Sequence, residues 1–288
     1  MKCSGVIVLL LYTTASNNQL LAQHTNTLTI TPSYLLQHNG ADLQAYTSLY
    51  TQAKEQAHNT ISSIPRSNYS TTLVQLIYGV SKRVHINAGL IVEYKSNTFN
   101  SNNILSPYNL KATTTQARNG FTYICPTVKW KLNTHKHNAI IQSTVHIPTF
   151  GQERNNNGYL SQKSIIVENK LLRDYATRYN KLQVFTSIGT RVFLGKRVSS
   201  YANNSVELAP SIFFNYQAVP RLTTLLSVQN AVLIPINNKI SQYYTSVGIG
   251  AKYAISQYLQ VEVLANKFVL GLATGLGSSM LLGVRYVR

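Results

Sequence analysis

Ser143, His146 and Glu168 have the residue types of a hydrolytic triad: a nucleophile, its base and a carboxylate to orient the base. Their spacing works against that chemistry. Ser143 and His146 lie three positions apart in one run of alternating apolar and polar residues, so a strand sends them to opposite faces. Side chains divided by a sheet cannot share a proton. His135-Lys136-His137 offers two imidazoles, but in a tight turn with no Cys, Asp or Glu nearby in sequence, so no metal is expected there. Gly271 to Gly277 fits neither the dinucleotide nor the P-loop spacing and joins two strand-like segments, where a phosphate cradle needs a following helix; it is expected to be a turn. Cys125 is expected to be a small packed side chain. No catalytic residue, cofactor or metal is expected, and the chain is not expected to be an enzyme.

A different set of residues recurs on a single phase of the alternation. Glu93, Lys95, Lys129, Lys131, Lys170, Arg191, Glu207, Lys252, Glu262 and Arg285 share it with His85, His146 and Glu168. If that phase points into an enclosed space, burial favours paired charges, with basic groups left over. Two outcomes follow: a ladder of salt bridges that stiffens or plugs the interior, or a basic wall that favours anionic and polar solutes.

The elements that carry these residues read as strands. From Ser205 to Tyr216, Val206, Leu208, Pro210, Ile212, Phe214 and Tyr216 fall on one face and Ser205, Glu207, Ala209, Ser211 and Asn215 on the other, with Phe213 as an exception. From Leu182 to Leu194, Leu182, Val184, Ile188, Val192 and Leu194 oppose Gln183, Ser187, Gly189 and Arg191. The same reading predicts strands near 25–37, 70–80, 84–95, 118–132, 138–149, 162–174, 180–194, 204–216, 221–235, 242–254, 258–268 and 278–288. Their number is even, and short connections alternate with mostly longer ones, notably 38–69, 96–117, 150–161 and 195–203. Both are properties of a transmembrane up-and-down antiparallel β-barrel of about twelve strands, with short periplasmic turns and long outer loops. Within 38–69, Leu43, Tyr46, Tyr50, Ala53 and Ala57 have helical spacing, so Ala41 to His58 is expected to be a short amphipathic helix at or in the mouth. Glycines at 89, 189, 248, 250 and 283 fall on the inward phase and are expected to relieve crowding there.

Aromatic residues on the outward phase fall near strand ends: Tyr34, Tyr94 and Tyr243 toward the outside, and Tyr78, Trp130, Tyr216, Tyr253 and Tyr286 toward the periplasm. Such girdles mark a barrel sitting in lipid. The 288 residues include 26 Lys and Arg against 8 Asp and Glu, but the basic residues are spread along the chain rather than gathered in a patch, so nucleic acid is not an expected partner. Lys2, the apolar run Val6 to Tyr12 and Leu20-Leu21-Ala22 read as an export signal over 1–22, leaving a barrel domain over 23–288. No cysteine follows that run where a lipid anchor would attach. No later apolar run is long enough to cross a bilayer as a helix.

The chain ends Leu281-Leu282-Gly283-Val284-Arg285-Tyr286-Val287-Arg288. This resembles the C-terminal signal of bacterial outer-membrane β-barrel proteins, with Tyr286 as its aromatic and Arg288 where a terminal aromatic is usual. The resemblance is to channel- and transporter-like members, including ones named for phenol-degradation pathways. It implies an outer-membrane location in a Gram-negative cell and termini in the periplasm. Its implied partners are membrane lipid, the barrel-assembly machinery acting through the last strand, and a small anionic or polar solute. The expected function is a narrow channel or transporter. The alternatives are a non-conducting surface barrel whose loops 96–117 and 150–161 make contacts, and a membrane-embedded hydrolase.

Overall fold

The computed structural model describes residues 35–57, 60–82, 86–109, 117–134, 137–149, 154–155, 158–160, 164–176, 181–195, 204–236, 242–272 and 274–288. The expected export segment 1–22, Tyr34, His85, and the His135-Lys136 pair lie outside these residues. Twelve long strands run antiparallel in chain order: β1 Ala41–Ala57, β2 Thr60–Gly79, β3 Ile86–Phe99, β4 Ala117–Thr134, β5 His137–Pro148, β6 Ile165–Ala176, β7 Leu182–Leu194, β8 Ser205–Val219, β9 Leu222–Pro235, β10 Gln242–Ala254, β11 Leu259–Leu272 and β12 Ser278–Val287. β12 returns to pair with β1 from Asp42↔Val287 to Thr51↔Ser278, which closes the sheet into a barrel. Among the described residues no helix is long and apolar enough to cross a membrane. A closed sheet crosses instead, because closure leaves no backbone donor or acceptor facing hydrocarbon.

Side-chain placement is inverted relative to a water-soluble protein. Leu76, Ile124, Ile188, Leu226, Ile249 and Leu282 are exposed on the outside, while Gln44, Gln75, Asn87, Lys129, Gln142 and Glu262 are buried inside. Water would penalise both choices; lipid outside and an enclosed polar interior reward both. Tyr78, Tyr216, Tyr253 and Tyr286 stand exposed on the outer wall near the end that carries the short turns, where the girdle was expected. The exception in β8 has a reason: Phe213 points inward, buried, against the Phe185 ring at 5.7 Å.

The first strand departs from expectation. Residues 41–57 are strand, not helix, and β2 begins at Thr60, so the predicted long connection 38–69 is mostly a hairpin. The spacing of Leu43, Tyr46, Tyr50 and Ala53 suits a helix, but the same segment alternates: Asp42, Gln44 and Tyr46 are buried inward and Leu43 and Ala45 exposed outward. Alternation prevails because a strand here supplies the partner that β12 and β2 both need. The expected strand at 25–37 lies almost wholly outside the described residues; of it, Leu35 to Gln37 are not strand.

Two segments fold back onto the wall. Leu35 to Gly40 crosses the short-turn end of the barrel. The buried Asn87 side chain accepts from the Leu36 N–H at 2.8 Å and donates to the Leu36 carbonyl at 3.1 Å. This segment lies so close to Gly79 that a Cβ there would come within 1.9 Å of the Gln37 carbonyl oxygen. At the other end, residues 100–109 drape down the outside of β1, β2 and β3 through a single 3-10 turn, Ser106–Tyr108. They cover outward polar side chains that lipid would leave unsatisfied. Asn68 donates to the carbonyls of Ser101 and Asn103, both at 3.1 Å, and accepts from Thr51.

The seam of the barrel is stapled by Asp42 and Arg285, from the first and last strands. Arg285 Nε donates to Asp42 Oδ1 at 2.9 Å and Nη2 to Oδ2 at 2.6 Å, with both residues buried. Arg285→Met, which strands a buried carboxylate, is expected to lower unfolding stability in lipid vesicles by about 3–5 kcal/mol. Asp42→Leu/Arg285→Met is expected to recover most of the loss. Equal losses in urea titrations of the two variants would show that the pair does not staple the seam.

Candidate functional site

Cross-strand register assembles a charged belt inside the barrel. Glu168 on β6 lies directly opposite Arg191 on β7, which lies opposite Glu207 on β8. Arg191 bridges both: Nε sits 2.6 Å from Glu168 Oε1 and Nη1 3.0 Å from Glu207 Oε1. Lys170, two residues along β6, brings Nζ to 3.2 Å from Glu168 Oε2, and His146 Nε2 lies 3.4 Å from the same oxygen. On β3, Lys95 Nζ lies 3.2 Å from Glu93 Oε1, a carboxylate that also accepts from Thr122.

The two signs are not equally placed within the belt. The Arg191 side chain is 40% exposed and Lys170 25%, but the Glu168 between them only 5%. Lys95 is 26% exposed against 14% for Glu93, and Glu207 reaches 20%. The carboxylates sit back against the wall; the cations project from it. The accessible part of the belt is therefore mostly basic.

Above the belt, toward the long connections, an aromatic layer forms from Tyr50, Tyr69, Phe99, Tyr244 and Phe268, with ring centroids 4.9–5.9 Å apart in successive pairs. Below it, the lumen is filled. Ile140, Leu172, Phe185, Phe213, Leu225 and Leu264 form a buried apolar cluster from five neighbouring strands and β11, and Leu35 packs against it. Beside this cluster lies a buried polar network. Asp42 accepts from Arg285 and from Gln44, whose Oε1 in turn accepts from Tyr46 and Gln75. Tyr46 fits because Gly283 faces it; a Cβ at 283 would come within 2.4 Å of the ring. Lys252 donates to Asn215 at 3.2 Å and is paired across strands with Glu262.

Of the residues expected to line the lumen, Glu93, Lys95, Lys170, Arg191 and Glu207 take the inward register with side chains partly exposed. Lys129, Lys252, Glu262 and Arg285 point inward but are sealed within the filled end. Lys131, paired with Ile140 on the inward register, is exposed close to the end of β4. Asp42, Gln44 and Tyr46 were missed, because the helical reading of 41–58 hid their alternation.

The triad question resolves differently from its sequence form. Ser143 faces outward and bonds to Asn169 on the neighbouring strand. His146 and Glu168 do meet, and the third group is Cys125, whose Sγ lies 3.3 Å from His146 Nδ1. No spacing motif marks this, because β4, β5 and β6 contribute one residue each. Cys125 is buried among Tyr123, Ile166, Phe193 and Leu233.

No family model and no curated protein matches the chain significantly. Solved structures do share its architecture. The COG4313 outer membrane channel from Pseudomonas putida F1 superposes with a TM-score of 0.74 at 10% identity, over 91% of this chain and all of that one (100%). The β domain of the Bordetella autotransporter BrkA superposes with a TM-score of 0.54 at 10% identity, over 86% of this chain and 99% of that one. At such identities the likeness concerns fold alone. Closure, inverted side-chain placement and these neighbours agree: the chain folds as a bacterial outer-membrane β-barrel.

Proposed function

We propose that this barrel is a narrow outer-membrane channel for small anionic or polar solutes, entered from the side of the long connections. The observation that carries this reading is the asymmetry of the belt, where Lys95, Lys170 and Arg191 reach further into the interior than the carboxylates they pair with. In a confined, low-dielectric passage a solute feels the nearest charges most, so projecting cations attract anions even though the belt is close to neutral. The filled periplasmic end and the docked Leu35–Gly40 segment make the resting conformation a closed or weakly conducting one. A non-conducting surface barrel is the second reading, favoured by that same filled end.

Planar-bilayer recordings of the refolded protein under a salt gradient separate the two. The channel reading expects stepwise currents whose reversal potential indicates anion preference. Lys95→Gln/Lys170→Gln should move the reversal potential toward zero, while Lys129→Gln, sealed in the filled end, should leave it unchanged. Asn87→Ala removes two hydrogen bonds from Leu36, worth about 1 kcal/mol each, so the fraction with the segment undocked should rise roughly thirtyfold. Longer or more frequent openings are the expected record. Silence from both the wild type and Asn87→Ala, in preparations that retain heat-modifiable mobility, would leave the non-conducting reading.

We infer no hydrolytic role for Cys125, His146 and Glu168, because the thiol is sealed by apolar neighbours and Glu168 is engaged by Arg191 and Lys170. Iodoacetamide is therefore expected to leave Cys125 unmodified in the folded, lipid-embedded barrel and to modify it in urea. Rapid labelling of the folded form would reopen the enzymatic reading.

A further inference from the structure

The draped segment 100–109 does more than cover polar side chains. Tyr108 reaches Thr47, in the first half of β1, so the segment descends alongside the transmembrane wall rather than standing above it. Non-helical backbone at that depth is tolerated only when its polar groups are satisfied by protein. Asn68 does so from below, and Thr98 meets Ser106 Oγ. The side chains left on the segment's outer surface, Ile104, Leu105 and Tyr108, are large and exposed.

Ile104 and Leu105 also form one bank of a groove. Its floor and far bank are the outward faces of β1, β12, β11, β10 and β9, with Leu49, Met280, Ala265, Ile249 and Leu226 among the lining residues. Its volume is about 770 Å³, and it is open along its outer side. This groove has two sides. At its upper end, next to the start of β12, stands Lys267, exposed, with Nζ donating to Ser278 Oγ at 3.3 Å. No described carboxylate lies within ion-pair reach of it.

We propose that this groove is a specific lipid site, which holds one acyl chain of a phosphorylated, anionic lipid with its phosphate against Lys267. The chemistry follows from three placements. The groove opens on the face that the barrel turns to hydrocarbon, its accessible lining is mainly apolar, and Lys267, the one cation among its described lining residues, lies at the end where a headgroup emerges. A bound chain covers Leu105 and continues the shielding that segment 100–109 gives to the polar strip of β1 to β3. The inference rests on the transmembrane fold and is independent of whether the lumen conducts.

Native mass spectrometry of the full chain, refolded and released from micelles that contain phosphatidylglycerol and phosphatidylcholine, tests the site. One retained phosphatidylglycerol per barrel is the expected result. Lys267→Gln should reduce its retention about fivefold, the weight of one basic side chain at an anionic lipid surface. Ala265→Trp, which fills the groove from an outward, lipid-facing position, should abolish retention of both lipids. Both variants should keep heat-modifiable mobility, and inorganic phosphate should not compete. Equal retention of the two lipids, or retention that neither variant changes, would overturn the proposal. A mass of two chains, lost in Ala265→Trp, would overturn it in favour of a groove covered by a second copy.

Discussion

Every polar group of the backbone that faces hydrocarbon must find its partner within the sheet, and for an open sheet two edges would always fail this test. Pairing between β1 and β12 removes both edges at once. The rest of the structure depends on that seam. It sets which strand is first, it turns one face of every strand into an enclosed interior, and it brings Asp42 and Arg285, from opposite ends of the described chain, into a bidentate buried pair. Closing the sheet also explains why a segment with plausible helical spacing is extended: as a helix, residues 41–57 would leave one edge of β12 and one edge of β2 unpaired.

Closure creates the second constraint, an interior of limited volume into which charged side chains must fit. The chain meets it in two ways along the barrel axis. At the short-turn end, large apolar side chains and a hydrogen-bonded polar network fill the space, with Gly283 making room for Tyr46. In the belt, direct cross-strand opposition of Glu168, Arg191 and Glu207 neutralises charge while the basic side chains stay partly exposed. A buried ion pair is weak evidence of stability by itself. Its arrangement here has a different significance, because the longer basic side chains extend past the carboxylates that anchor them. The same geometry that satisfies burial thus presents a positive surface.

The outer wall shows that facing lipid is not the same as being apolar. Asn68, Ser70, Ser96 and Thr98 lie buried on the outward register near the long connections, and they are tolerated only because segment 100–109 lies over them. In sequence these residues weaken the alternation of β2 and β3 toward their outer ends. That is why the expected strands stopped at 95 and began at 70, short of the observed limits of Phe99 and Thr60.

Much of this was legible in the chain before folding. Period-two alternation is a local property, so the facing of Val206 to Tyr216, of Leu182 to Leu194 and of the ten charged residues followed from sequence, and all ten take the inward register. An even count, alternating connections beyond the first hairpin and girdle tyrosines then pointed to a membrane barrel; the strand that closes it, Ala41–Ala57, lay inside the expected connection 38–69. Height and neighbour are different in kind. They depend on register and stagger summed across several strands, which no single segment encodes. Only the tertiary structure therefore decided that Arg191 projects while Lys129 is sealed, that Lys131 is exposed near a strand end, that Cys125 rather than Ser143 meets His146, and that β1 begins at Ala41. Sequence settles which side of the wall a residue is on; closure of the sheet settles what it meets there.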